Sequence, residues 1–259
     1  MDELTGTQMF GDLTVTYVDE ADSPGPYGHT FGGPLERSGT SREECGDLHL
    51  HRVMLLDQTD PAVPKVVPEI RWLPLYYCFD FRANVIGYRV LSEDAVRVFL
   101  RENDPHVTSE ESWIRRDFPA TLPVRPLVAD RRPFEPHNPE HAWRYGGVFG
   151  VEHLGRNERL AVRRFETEHA LIGLNDPTWP TPLADQLGMP FFQGKPDNVC
   201  LNPECPLPEA PRPNERGRLK TFAIVENAPI EDFYFTGRYD NFRLIYEVCR
   251  DCWSIHVSN

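Results

Sequence analysis

The clearest chemistry in the chain sits in four cysteines near its C-terminus. Cys200-Leu-Asn-Pro-Glu-Cys205 places four residues between two thiols, and Cys249-Arg-Asp-Cys252 places two. Either spacing lets one turn aim two thiolates at a common ion, and four thiolates complete the tetrahedron that zinc prefers. A donor set closed in this way leaves no open position for substrate, so the expected cofactor is one structural Zn2+ held by Cys200, Cys205, Cys249 and Cys252. The first pair lies in a loop with Pro196, Pro203, Pro206 and Pro208. The second lies between two strand-like runs and should form the tip of a hairpin, a zinc-ribbon-like arrangement. A thioredoxin-type redox pair is the alternative for Cys249 and Cys252, but that motif opens a helix after a strand. Here Trp253, Ile255 and Val257 continue with strand alternation. Disulfides are the other alternative, and a chain of this size with no secretory signal has little need of them.

The remaining candidates assemble less. Cys45 and Cys78 are isolated, and Cys78 stands in an apolar run, as a buried thiol does. His49 and His51 share one face of an expected strand, where solvent-facing side chains are the plain reading. His137 and His141 are four apart and would share a helix face, without the His-Glu-x-x-His pattern of hydrolytic zinc sites. A metal-dependent hydrolase built on His49, His51, His137 or His141 is therefore the rival to a purely structural site. His29, His106, His153, His169 and His256 stand alone. There is no Gly-x-Ser-x-Gly elbow, phosphate-binding glycine loop or dinucleotide fingerprint. No catalytic residue is assigned, and the reading leans away from an enzyme.

The elements that must position these groups are mostly strands. Leu13, Val15 and Tyr17 alternate with Thr14 and Thr16, predicting a half-buried strand. Residues 25–44 are rich in Gly, Pro and Ser and read as a loop. Further strands are expected over 47–56, 73–81, 85–91, 147–153, 170–174, 219–226, 242–248 and 253–257, with a hairpin around 82–84 joining the second and third of this set. Four short helices are expected. Ser92 caps one over 93–101, with Ala95, Val96, Phe99 and Leu100 on one face. Thr108 and Glu111 form a capping-box pattern for the second. Asn138-Pro139 opens the third, running to Tyr145, and Thr181-Pro182 the fourth, stopped at Gly188. Trp179, between Pro177 and Pro180, is expected as a core plug. The fold class is α+β, dominated by antiparallel sheet, with a zinc-ribbon-like four-cysteine element near the C-terminus. The 259 residues fit a single compact domain. They also permit two lobes: residues 1–165, β-rich with an acidic start, and residues 166–259, stabilised by zinc.

Charge narrows the partners. The net charge is −13, and residues 1–60 carry 12 acidic against 3 basic side chains. Such a chain has little general affinity for phosphate backbones, so its natural complement is a basic protein. A zinc-ribbon nucleic-acid binder would need a local patch from Arg131-Arg132, Arg163-Arg164 and residues 212–220. No apolar run is long enough for a membrane-spanning helix. Nor does the N-terminus carry the apolar core of a secretory signal, so a cytoplasmic location is expected.

The C-terminal third resembles a known group. Ile172-Gly-Leu-Asn-Asp-Pro-Thr-Trp179, the Cys200 and Cys205 pair, the strand Thr221-Phe-Ala-Ile-Val225 and the late pair Cys249 and Cys252 follow one another in the order of the YwqG-like proteins. These are a bacterial domain of unknown function, similar in turn to the C-terminal domain of programmed cell death protein 2. The resemblance covers residues 170–259. Leu174 replaces the second glycine of the family's Gly-Gly-x-Pro-x-Trp segment, and Ala223-Ile224 stands where the family has a Gln-containing strand. The resemblance implies a two-lobed β-rich fold with zinc at one end and a role in protein interaction. Eukaryotic relatives act as chaperones for a basic ribosomal protein, and some bacterial ones stand beside toxins in the manner of immunity proteins. It carries no catalytic residues.

Overall fold

The computed structural model describes residues 7–11, 14–34, 50–79, 85–92, 95–100, 119–133, 200–206, 219–236 and 242–258. These form eleven strands and, among the described residues, no helix. In chain order they are β1 (Thr7–Gly11), β2 (Thr14–Glu20), β3 (Thr30–Phe31), β4 (His51–Asp57), β5 (Trp72–Tyr77) and β6 (Val85–Ser92). There follow β7 (Ala95–Leu100), β8 (Arg125–Pro133), β9 (Leu219–Glu226), β10 (Arg243–Cys249) and β11 (Ile255–Ser258). All belong to one sheet in the order β5-β4-β3-β8-β2-β1-β9-β10-β11-β6-β7, and every pairing is antiparallel.

The sheet curls into a half-barrel. Irregularities in register at Arg52/Met54, Val90/Ser92 and Tyr246/Glu247 insert extra residues on β4, β6 and β9, and such bulges bend a strand and raise its twist. Curling brings β5, at one edge, against β6, near the other. The Tyr88 hydroxyl of β6 donates to the Pro74 carbonyl at 2.8 Å and accepts the Tyr76 N–H at 3.3 Å. The Tyr76 and Tyr88 rings meet edge to face, a favoured aromatic geometry. Pro74 is tolerated because β5 is an edge strand, where a missing N–H breaks no ladder. Inside the curl one core runs through Met9, Val18, Phe31, Leu75, Tyr88, Phe222, Tyr246 and Val257, with Phe233 and Phe242 packed against it. Val15 and Ile224 lie outside this core cluster and are buried nonetheless.

The connection between β4 and β5 is held by side chains. Buried Gln58 donates to the carbonyls of Val67 and Ile70 and accepts the N–H groups of Val66 and Val67. Gly32 turns the chain after β3 with φ of 66°, where a Cβ would stand 2.3 Å from the Pro123 carbonyl oxygen, so only glycine fits.

The structure corrects several expectations. The helix predicted over 93–101 is strand β7, paired with β6 along its length. Ala95, Val96, Phe99 and Leu100 fit a helical stripe, but β-branched Val96 and Val98 fit a pleat better once a partner strand is present. The expected hairpin would pair β5 with β6, but β5 pairs with β4 while β6 pairs with β7 and β11; residues 80–84 lie outside the described residues. His51 is not solvent-facing: it is buried and donates through Nε2 to the Pro119 carbonyl at 3.0 Å. Thr16, expected on a solvent face, is buried with its hydroxyl on the Ala62 carbonyl. The other three predicted helices, the strands at 147–153 and 170–174, Trp179, Cys45, His49, His137 and His141 lie outside the described residues.

Candidate metal centre

The β10–β11 hairpin presents the second cysteine pair. Cys249 ends β10, where it pairs with Leu219 at the start of β9. Its N–H donates to the Ser254 carbonyl at 2.8 Å, and the Trp253 N–H returns to the Cys249 carbonyl at 2.7 Å. Trp253 closes this turn with φ of 58°, a left-handed conformation that costs a non-glycine residue roughly 1–2 kcal/mol. The strained turn holds Cys249 and Cys252 on one side. The first pair sits on a turn of its own, in which Asn202 accepts the Cys205 N–H at its carbonyl and the Glu204 N–H at Oδ1, each at 3.0 Å.

The two turns face each other. Cys200 Sγ stands 3.4 Å from Cys252 Sγ, and Cys205 Sγ stands 3.9 Å from Cys249 Sγ. All four sulfurs lie within 4.8 Å of one another, all are buried, and all are free thiols. Metal–sulfur bonds of about 2.3 Å in a tetrahedron require sulfur–sulfur edges of about 3.8 Å. The four cysteines thus form a group that could hold a metal ion. With Leu219 they make a small core separate from the main one.

The surroundings suit thiolates. The N–H groups of Asp251 and Cys252 bond the Cys249 sulfur, and the Asn202 N–H bonds that of Cys200. Hydrogen bonds from Cys200 and Cys249, joined by Ser254 and Asn202, outweigh burial and hold the Cys252 thiol far below its ordinary range. The Cys249 and Cys252 sulfurs, with burial, push Cys200 far up. Cys249 is drawn down by Cys200 but raised more by Cys252 and by burial, and is pushed up to about 12. Ionising four buried thiols this close together requires a compensating cation.

Two strands beyond the hairpin buttress the centre. Gly87 of β6 lies under the His256 ring and Leu201; a Cβ there would come 3.1 Å from the imidazole and 3.2 Å from Leu201 Cβ. Arg97 of β7 forms a 2.6 Å ion pair with Glu204. The sequence brought all four cysteines into view through local spacing. It gave no sign of Gly87, Asn202, Ser254 or His256, whose places depend on turn geometry and on the pairing of β11 with β6.

A second polar cluster joins three segments. His29 Nδ1 accepts the Asp57 N–H at 3.0 Å, so Nε2 carries the ring proton and donates to Asp60 at 2.8 Å. Both ring nitrogens are engaged, which makes the group a structural clasp with no free base for catalysis. Asp57 is bonded in turn by Arg71 and Thr59.

Comparison with protein-family models, characterised proteins and solved structures returns no match for the chain. Among the described residues no helix is long and apolar enough to cross a membrane.

Proposed function

We infer that the protein is a non-enzymatic interaction module, stabilised by one zinc ion on Cys200, Cys205, Cys249 and Cys252, whose acidic surface receives a basic protein partner. The observation that carries this reading is the closed set of four buried thiols at tetrahedral spacing. Such a set has no vacant position for substrate, so its metal serves folding. Zinc is favoured over other divalent ions because soft thiolates in a tetrahedron suit it and it requires no redox partner. The partner's chemistry follows from the charge of −13, which steers cationic surfaces and repels anionic ones. Chaperoning or neutralising a basic protein both fall within this role, as the resemblance to the YwqG-like group suggests.

The test begins with elemental analysis and native mass spectrometry of the purified protein beside Cys249→Ser. One zinc per chain, lost together with folding in the variant, is expected. The intact protein is then used to capture partners from its host at low and high salt. A basic protein retained at low salt and released at high salt is expected, since exposed charge pairs are screened. A metal that survives the substitution, or capture of no basic protein at either salt, would count against the reading.

A further inference from the structure

Two polar side chains, Ser254 and Asn202, turn toward one of the four sulfurs, and a buried imidazole stands nearby. Ser254 Oγ lies 3.2 Å from Cys252 Sγ. The side-chain amide of Asn202 stands close enough to act on the same sulfur, and its buried Nδ2 has no hydrogen-bond partner. His256 is only 1 % exposed, and neither of its ring nitrogens has a partner. It sits over Gly87, which Leu201, the residue after Cys200, also approaches, and it lies within electrostatic reach of Cys252. An imidazole and an amide buried without partners cost on the order of 1–3 kcal/mol each, so their placement beside a thiolate calls for an explanation.

Four thiolates on a divalent cation leave two negative charges in a buried site. N–H and O–H donors aimed at sulfur disperse that charge, and such outer groups govern how tightly a metal is held. We propose that Asn202, Ser254 and His256 are a donor shell for Cys252, hydrogen-bonding its metal-bound thiolate and locking the ion in place, with Gly87 providing the seat for the imidazole. The proposal rests on the four-thiolate reading above. Its members are positioning residues: they act through Cys252 and do not touch the metal. In the loaded protein the Ser254 hydroxyl turns its proton toward the sulfur, and His256, neutral in its apolar surroundings, presents a ring N–H.

Cobalt(II) in place of zinc tests this on the full chain. Donors stabilise the sulfur lone pairs, so removing them moves the thiolate-to-cobalt charge-transfer bands to longer wavelength. Ser254→Ala, Asn202→Asp and His256→Phe are each expected to show that shift and to bind zinc about 10–100-fold more weakly. Asn202→Asp keeps the acceptor used by the Glu204 N–H, and His256→Gln, which restores an N–H, is expected to recover part of the effect. Should His256→Phe fail to fold, Ser254→Ala and Asn202→Asp decide the question. Folded variants with wild-type bands and wild-type zinc affinity would overturn the donor shell while leaving the metal centre intact. A wild-type spectrum with three sulfurs and one nitrogen would overturn it by making His256 a ligand. Absence of any tetrahedral tetrathiolate spectrum in the wild type would instead mark failure of the metal reading on which it rests.

Discussion

Among the described residues outside the candidate metal centre, Asp57 bears a heavy electrostatic demand. Its carboxylate is fully buried, while Arg71, which bonds it, is about half exposed. Two guanidinium N–H groups reach Oδ2 at 3.0 and 2.8 Å, and Thr59 gives its N–H and hydroxyl to Oδ1 at 2.9 and 2.7 Å. Burial raises the carboxyl, but the bonds from Arg71 and Thr59 together outweigh it and hold Asp57 below its ordinary value of 3.8. A group lowered on folding contributes stability that is complete above its unfolded pKa and is lost as pH falls through its folded one. Asp57→Asn should therefore cost about 2 kcal/mol at pH 7, the scale of a hydrogen bond to a charged group. The gap between wild type and variant should narrow below about pH 4, where the unfolded carboxyl begins to take up its proton. Urea unfolding of both proteins at pH 7 and pH 3 measures this, and a gap that does not change with pH would refute the account. His29, with both ring nitrogens committed to Asp57 and Asp60, belongs to the same clasp and explains why a lone histidine in the sequence is not a catalytic one.

At the level of elements, the joint between β5 and β6 closes the curl without a ladder, through one hydroxyl. Tyr88→Phe deletes the group that serves both the Pro74 carbonyl and the Tyr76 N–H. It should lower stability by about 1–3 kcal/mol, seen as a lower denaturant midpoint at unchanged slope; an unchanged midpoint would mean that the aromatic contact alone closes the sheet. Strands β9, β10 and β11 were legible because Leu244, Tyr246 and Val248, like Ile255 and Val257, alternate toward one core. So were the four cysteines of the candidate centre, since each pair needs only its own turn. Less could be read where pairing decides. β8 is a nine-residue strand with three arginines and two prolines, and nothing in its pattern marks a sheet interior. It is held there by seven paired positions on β2. β7 obeys a helical and a strand period at once, and the β6 ladder chooses between them. His256 meets Gly87 only through the register of β11 on β6, and no local pattern encodes that register.

For the molecule as a whole, the metal centre lies at a junction of elements rather than at a free tip. Its ligands come from the β10–β11 hairpin and from the turn before β9. That turn rests on β6 through Leu201 and is tied to β7 by the Glu204–Arg97 pair, while β11 itself pairs with β6. An ion held there would cross-link one half of the sheet, whereas β3, β4 and β5 are held by their own ladders, by Gln58 and by the His29–Asp57–Asp60 clasp. Zinc in small tetrathiolate sites is worth roughly 10–16 kcal/mol of apparent binding energy, as much as a whole domain's usual stability of about 5–15 kcal/mol. Its removal should consequently not act evenly. After treatment with a strong chelator, amide exchange should accelerate by at least about two orders of magnitude, some 3 kcal/mol of lost protection, in Arg243–Cys249, Ile255–Ser258 and Val85–Ser92. His51–Asp57 and Trp72–Tyr77 should lose far less. Hydrogen exchange read by mass spectrometry distinguishes the cases. Equal acceleration in all five strands would mean that the sheet is one cooperative unit with the ion as its keystone. No acceleration in the β10–β11 hairpin would mean that the thiols hold no ion that matters to folding.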